Sequence, residues 1–200
     1  MLASTQKKAL VTVALLAAVV PQASAAQKVL VAYYSATGHT ALMAEQVGKG
    51  ARSVVGSDVR VLPVDSVTPE ELAWADALIV GSPVHSANIA APVVAFLNAL
   101  PFDGSMRDKV GAAFVTAGGI SAGEEAVQLS ILRAMLVYNM ILVGGPSWTQ
   151  AFGASAVTGE PPFQDTLRES SVDPAFQTKG FNLGVRVAQV TKRLTSRSGG

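Results

Sequence analysis

Lys28-Val29-Leu30-Val31-Ala32-Tyr33-Tyr34-Ser35-Ala36-Thr37-Gly38-His39-Thr40 changes character once, at Ser35. Val29 to Tyr34 is an unbroken apolar run of β-branched and aromatic residues, the pattern of a short strand buried on both faces. From Ser35 the chain turns to small hydroxyl residues around one glycine. Beyond it Leu42, Met43, Val47 and Ala51 recur at helical spacing, with Glu45, Lys49 and Arg52 mostly between them. The reading is strand, hydroxyl loop, helix. Such a loop aims backbone N–H groups and the positive helix end at one point, which suits a phosphate. Ser35, Thr37 and Thr40 add hydroxyl donors, and Gly38 lets the backbone of Ala36 to His39 approach closely. No Gly-Lys-Ser/Thr follows and no Gly-x-Gly-x-x-Gly is present, which disfavours a nucleoside triphosphate and a dinucleotide pyrophosphate. A terminal monophosphate fits better. The alternative is a hydroxyl-rich helix cap that binds nothing, but a cap needs one hydroxyl, not three around a glycine.

Ser35-Ala36-Thr37-Gly38-His39-Thr40 resembles the FMN-phosphate loop of the flavodoxin family, [Ser/Thr]-x-Thr-Gly-x-Thr, directly after the first strand. The resemblance implies FMN as cofactor, with Ser35, Ala36, Thr37, Gly38, His39 and Thr40 around its phosphate.

Two hundred residues, half of them hydrophobic, suffice for one α/β domain with a full core. The net charge of +1 gives no sign of nucleic acid as a partner. With no cysteine, disulfides, thiolate chemistry and cysteine-based metal sites are excluded, and two histidines far apart make a histidine-based metal site unexpected. No metal site is expected. Residues 1–25 read as a secretory signal peptide: Lys7 and Lys8, then an apolar run from Ala9 to Val20, then Ala23-Ser24-Ala25 as a cleavage site. Export is the expectation, with organelle targeting or an uncleaved anchor as alternatives. Any membrane association would come through that leader or a quinone pool. The folded domain is expected over 26–195, with 196–200 a flexible tail.

Along the domain, strands are expected at Val59–Val64, Ala77–Val80, Lys109–Thr116 and Met140–Val143 after the first. Helices are expected from Thr68-Pro69, over Ala91–Leu100, over Ala122–Tyr138 and from Asp173-Pro174 to about Leu194. Thr68 with Glu71 and Ser121 with Glu124 have the spacing of capping boxes. Strands alternating with helices imply right-handed crossovers and a doubly wound parallel five-stranded sheet, in the flavodoxin-like order 2-1-3-4-5. In that topology ligands sit at the carboxyl ends of strands one, three and four. Residues 35–40, 81–89 and 116–123 fall there.

Gly81-Ser82-Pro83-Val84-His85-Ser86-Ala87-Asn88-Ile89 resembles the Gly-Thr-Pro-Thr-Arg-Phe-Gly-Asn-Met segment of the WrbA-type NAD(P)H:quinone oxidoreductases. Thr116-Ala117-Gly118-Gly119-Ile120-Ser121-Ala122-Gly123-Glu124 resembles the glycine-rich third loop of the same family. By that resemblance Ser82, Pro83, Val84, His85, Asn88, Thr116, Ala117, Gly118 and Gly119 contact the cofactor. That family's Arg is His85 here and its Phe is Ser86. His85 is the candidate catalytic residue, as a donor to a quinone oxygen or the flavin edge, against the alternative of a solvated loop histidine. Gly144 to Val172 shows no clear periodicity and reads as a lid, a binding loop or a surface loop.

The resemblance implies two-electron transfer from NAD(P)H to a quinone-type acceptor through FMN, with no side chain obliged to act as acid or base. It allows a homo-oligomer, although the short link between strands two and three departs from the tetrameric pattern. Two other readings stand beside it: a flavodoxin-type electron carrier docking a redox partner, and an exported flavodoxin-fold binding protein lacking flavin.

Overall fold

The computed structural model describes residues 26–164 and 171–196. The expected leader and all of the expected tail but Ser196 lie outside the described residues. Strands β1 (Gln27–Tyr33), β2 (Ser57–Pro63), β3 (Ala77–His85) and β5 (Val110–Ala117) form a parallel sheet in the order β2-β1-β3-β5. Its fifth position is shared by two short strands, β6 (Ile141–Leu142) and β7 (Ala154–Val157), each paired in parallel with β5. The two-residue strand β4 (Asn88–Ile89) turns back antiparallel on the end of β3. The sheet therefore has the expected order, with its last strand interrupted and a hairpin added.

Alternation along each strand sends side chains to two separate cores. Val29, Val31, Ala77, Ile79, Val110, Ala112 and Phe114 face helices α1 (His39–Arg52) and α5 (Pro174–Thr195). Leu30, Ala32, Leu78, Val80, Ala113 and Val115 face α2 (Pro69–Trp74), α3 (Ala91–Asn98) and α4 (Glu124–Val137). Because both faces are covered, the central strands read as continuous apolar runs. Truncating a fully buried residue such as Ile79 to alanine costs about 2–5 kcal/mol.

Two glycines set how closely α1 and α5 approach. A Cβ on Gly50 would lie 1.9 Å from Phe181 O, and one on Gly184 would lie 1.9 Å from Val47 O. The helices touch backbone to backbone, which fixes the axis of α1 and the direction of its amino end.

Several boundaries move from those expected. β3 runs on through His85 because β5 remains paired with it as far as Pro83 opposite Thr116. Pro83 is tolerated there because β1 stops opposite Gly81, so on that side the missing N–H has no ladder partner to lose. α4 begins at Glu124, since Gly123 takes φ 104°, outside the helical region. The Thr68 cap forms as expected, its side chain accepting from Glu71 N. The second box forms by half: Glu124 Oε1 accepts from Ser121 N at 3.0 Å, while no side chain caps the helix. Within 144–164 the chain is ordered by backbone and amide bonds. Gly145 N donates to Gln150 O, Gln150 Nε2 donates to Lys179 O, and Gln128 Nε2 donates to Ala154 O. Residues 165–170 of the expected loop lie outside the described residues.

Candidate functional site

The amino end of α1 lies directly after β1. Gly38 occupies the N-cap position at φ 91°, no side chain caps the helix, and its first turn carries no acidic residue. The first-turn N–H groups of any α-helix have no partner within the helix. Here they keep their positive partial charge for a ligand. α2 and α5 differ: Thr68 and Asp173 cap them with side-chain oxygens.

Ser35 Oγ accepts from Gly38 N at 3.1 Å and so folds the loop on itself. Thr37 Oγ1 lies 2.8 Å from His39 Nδ1. Ala36 and Thr37 are exposed, while Ser35, Gly38 and His39 are half-buried. Partial burial holds the His39 imidazole below its ordinary pKa, because desolvation penalises the charged ring. The neutral ring accepts from Thr37 or donates to it according to tautomer. Thr40 is placed differently. It is buried, and its Oγ1 lies 2.8 Å from Thr116 Oγ1 at the end of β5. Each of these two hydroxyls keeps hydrogen-bonding capacity beyond the bond they share.

The second expected loop is mostly strand and hairpin. After His85 the chain turns through Ser86 and Ala87, both with positive φ (50° and 60°), and returns at Asn88. Asn88 Nδ2 donates to Ser86 O at 2.7 Å. Ser82 is fully buried; its hydroxyl donates to Pro83 O and accepts from Ala90 N, closing the base of the hairpin. Pro83 and Val84 are half-buried, and His85 and Asn88 are exposed at the tip.

In the third loop Thr116 and Ala117 are still buried strand residues. Ala117 O accepts from Thr158 N and from Thr158 Oγ1, and Gly118 O accepts from Gly159 N. Gly118 is exposed and a Cβ there would meet open space. Ala87 of the hairpin packs on Gly123, where a Cβ would lie 2.7 Å from Ala87 Cα. The fold thus brings the three stretches to one end of the sheet. Thr40–Thr116 joins the first to the third, and Ala87–Gly123 joins the second to the third.

Two acids here were not singled out from sequence. Glu160 Oε2 accepts from Ile120 N at 2.6 Å and so holds the third loop to the segment after β7. No local signal marks it, because its partner is 40 residues away. Asp65, just beyond β2, lines a cavity of about 390 Å³ together with Tyr34, Ser35 and Gly38. Its signal in the sequence is an acid just past the end of the strand beside β1. A larger cleft of about 510 Å³ opens at the opposite end of the strands, between Asp76, Arg107 and Thr195. That is the wrong end for a ligand site in a parallel sheet, where ligands gather outside the carboxyl ends.

Residues 66–154 match the family of NADPH-dependent FMN reductases. A flavodoxin of Aquifex aeolicus is 38% identical over 141 residues, which span 67% of this chain and 76% of that protein. An NAD(P)H dehydrogenase (quinone) of Azorhizobium caulinodans is 35% identical over 163 residues, spanning 70% of this chain and 81% of that one. Among solved structures, a WrbA-like flavodoxin of Agrobacterium tumefaciens superposes with a TM-score of 0.69 at 20% identity, over 84% of this chain and 99% of its own.

Proposed function

The chain belongs to the flavodoxin-like superfamily, beside the WrbA-type FMN-dependent NAD(P)H:quinone oxidoreductases, and on that footing we propose that it binds FMN at residues 35–40, 82–85, 88 and 116–119 and moves two electrons from NAD(P)H to a quinone-type acceptor. The observation that carries this reading is the amino end of α1, which lacks both side-chain cap and acidic first turn and lies beside the hydroxyls of Ser35 and Thr37. These donors fit a phosphate monoester in number, charge and position.

When bound, FMN supplies the redox chemistry between donor and acceptor. The chain's own part is to bind, orient and shield. The loop N–H groups and the Thr37 hydroxyl hold the phosphate. Thr40, through Thr116, fixes the loop against the end of β5. Gly118 leaves its backbone open to a flat ring. His85, exposed at the hairpin tip, has an imidazole N–H to donate to an acceptor oxygen.

A flavodoxin-type carrier is the second reading, favoured by the relative named flavodoxin. A visible spectrum of the purified protein loaded with FMN separates the two. Yellow colour that bleaches with NADPH and returns with a quinone supports the oxidoreductase. Colour retained unbleached supports the carrier, and loss of all colour on desalting overturns both. Export through residues 1–25, with a mature chain starting at Ala26, belongs to the same proposal. Amino-terminal sequencing of protein from the producing cells checks it. A homo-oligomer, checked by light scattering, completes it.

A further inference from the structure

The cavity beside the first loop has its own chemistry. It holds about 390 Å³, within the size range of small-molecule sites, and is lined by Tyr33, Tyr34, Pro63, Val64 and Pro92 with one carboxylate, Asp65. Ser35 and Gly38 of the first loop also line it, so a ligand there lies beside one on that loop. β2 lies next to β1, with Tyr33 paired to Pro63, which sets Asp65 two residues beyond the end of β2. In Rossmann dinucleotide-binding folds an acid beyond the strand next to β1 bonds the ribose 2′-hydroxyl, and Asp65 has the corresponding place here. Asp65 Oδ1 accepts from Ser66 Oγ at 3.2 Å, and no cation pairs with the carboxylate among the described residues. It can accept from hydroxyls, and it repels phosphate.

We propose that this cavity takes the adenosine part of a nucleotide, with an unesterified ribose 2′,3′-diol bonded to Asp65 and the base against the tyrosine and proline surfaces. The inference rests on the flavin reading of the adjoining loop and deepens it. The source is the adenosine of NADH, bound beside FMN, since the first loop suits a monophosphate and not a dinucleotide pyrophosphate. A 2′-phosphate is excluded by the carboxylate, so NADPH does not place its adenosine here.

The test uses the full chain loaded with FMN and adenosine as the probe, followed by ligand-observed NMR. Binding is expected, about tenfold weaker for 2′-deoxyadenosine and about tenfold weaker for adenosine with Asp65→Ala. FMN retention is measured in the same samples and is not weakened in Asp65→Ala. Failure to retain FMN at all counts against the flavin reading. Retained FMN with no adenosine binding, or with binding indifferent to both changes, overturns the cavity assignment. A further arm checks the source: adenosine competes with NADH but not with NADPH in reduction of bound FMN. Tighter retention of FAD than of FMN, lost in Asp65→Ala, would overturn the assignment to the donor.

Discussion

Thr40 Oγ1 and Thr116 Oγ1 stand 2.8 Å apart in the interior, the first on the opening turn of α1 and the second near the end of β5, 76 residues away. The bond ties the first loop to the strand that carries the glycine loop, so the position of Thr40 is fixed from β5.

Thr40→Val keeps the shape, removes one hydroxyl and leaves Thr116 with a buried group unpaired. A loss of about 1–3 kcal/mol in urea unfolding is expected. Adding Thr116→Val removes the orphan and should return part of that loss, whereas FMN affinity stays reduced. Additive losses in the double variant would show that the two hydroxyls are not coupled.

Gly50→Ala and Gly184→Ala each drive a methyl group into the backbone of the facing helix, with Cβ 1.9 Å from a carbonyl oxygen. Each should cost ~3 kcal/mol, the upper end of the usual overpacking range. Because α1 opens directly from the first loop, where the proposal places FMN, its binding should weaken in any variant that still folds. Wild-type melting temperatures would contradict the close approach of α1 and α5.

His39 has its pKa lowered by burial from the ordinary 6.5. Between its folded value and 6.5 the unfolded chain holds more protons, so stability rises with pH across that window. The penalty is fully present below the folded value and absent above 6.5. A phosphate beside the ring reverses the direction, so FMN should raise the midpoint followed by NMR. A midpoint at or above 6.5 in the flavin-free protein would refute the desolvated ring.

His85→Ala should lower quinone turnover several-fold and change FMN affinity less, since the imidazole is exposed at the hairpin tip. Steady-state rates with a quinone series measure it. Unchanged turnover would return His85 to the role of a solvated loop residue.

The reading from sequence was strongest where the signal was local. Val29 to Tyr34, the hydroxyl cluster and the helical period after it all lie within one stretch, so the first loop and its helix were legible. Thr68 and Glu71 were legible as a cap for the same reason. β7 was not: Ala154-Ser155-Ala156-Val157 is four mostly small residues, and pairing with β5 makes it a strand. Ser82 shows the same limit, since its hydroxyl accepts from Ala90 N across the hairpin, a partner eight residues on. Glu160 and Asp65 owe their positions to Ile120 and to the pairing of β1 with β2, relations that no window of sequence contains.

Whether the uncapped end of α1 holds the phosphate of FMN is decided by fluorescence titration with FMN and with riboflavin, which differ by that phosphate. FMN should bind at least a hundredfold tighter, since several charge-assisted bonds of roughly 1.5–3 kcal/mol each depend on the phosphate. Thr37→Ala should narrow that gap by weakening FMN alone. Equal affinity for FMN and riboflavin would contradict a phosphate held there.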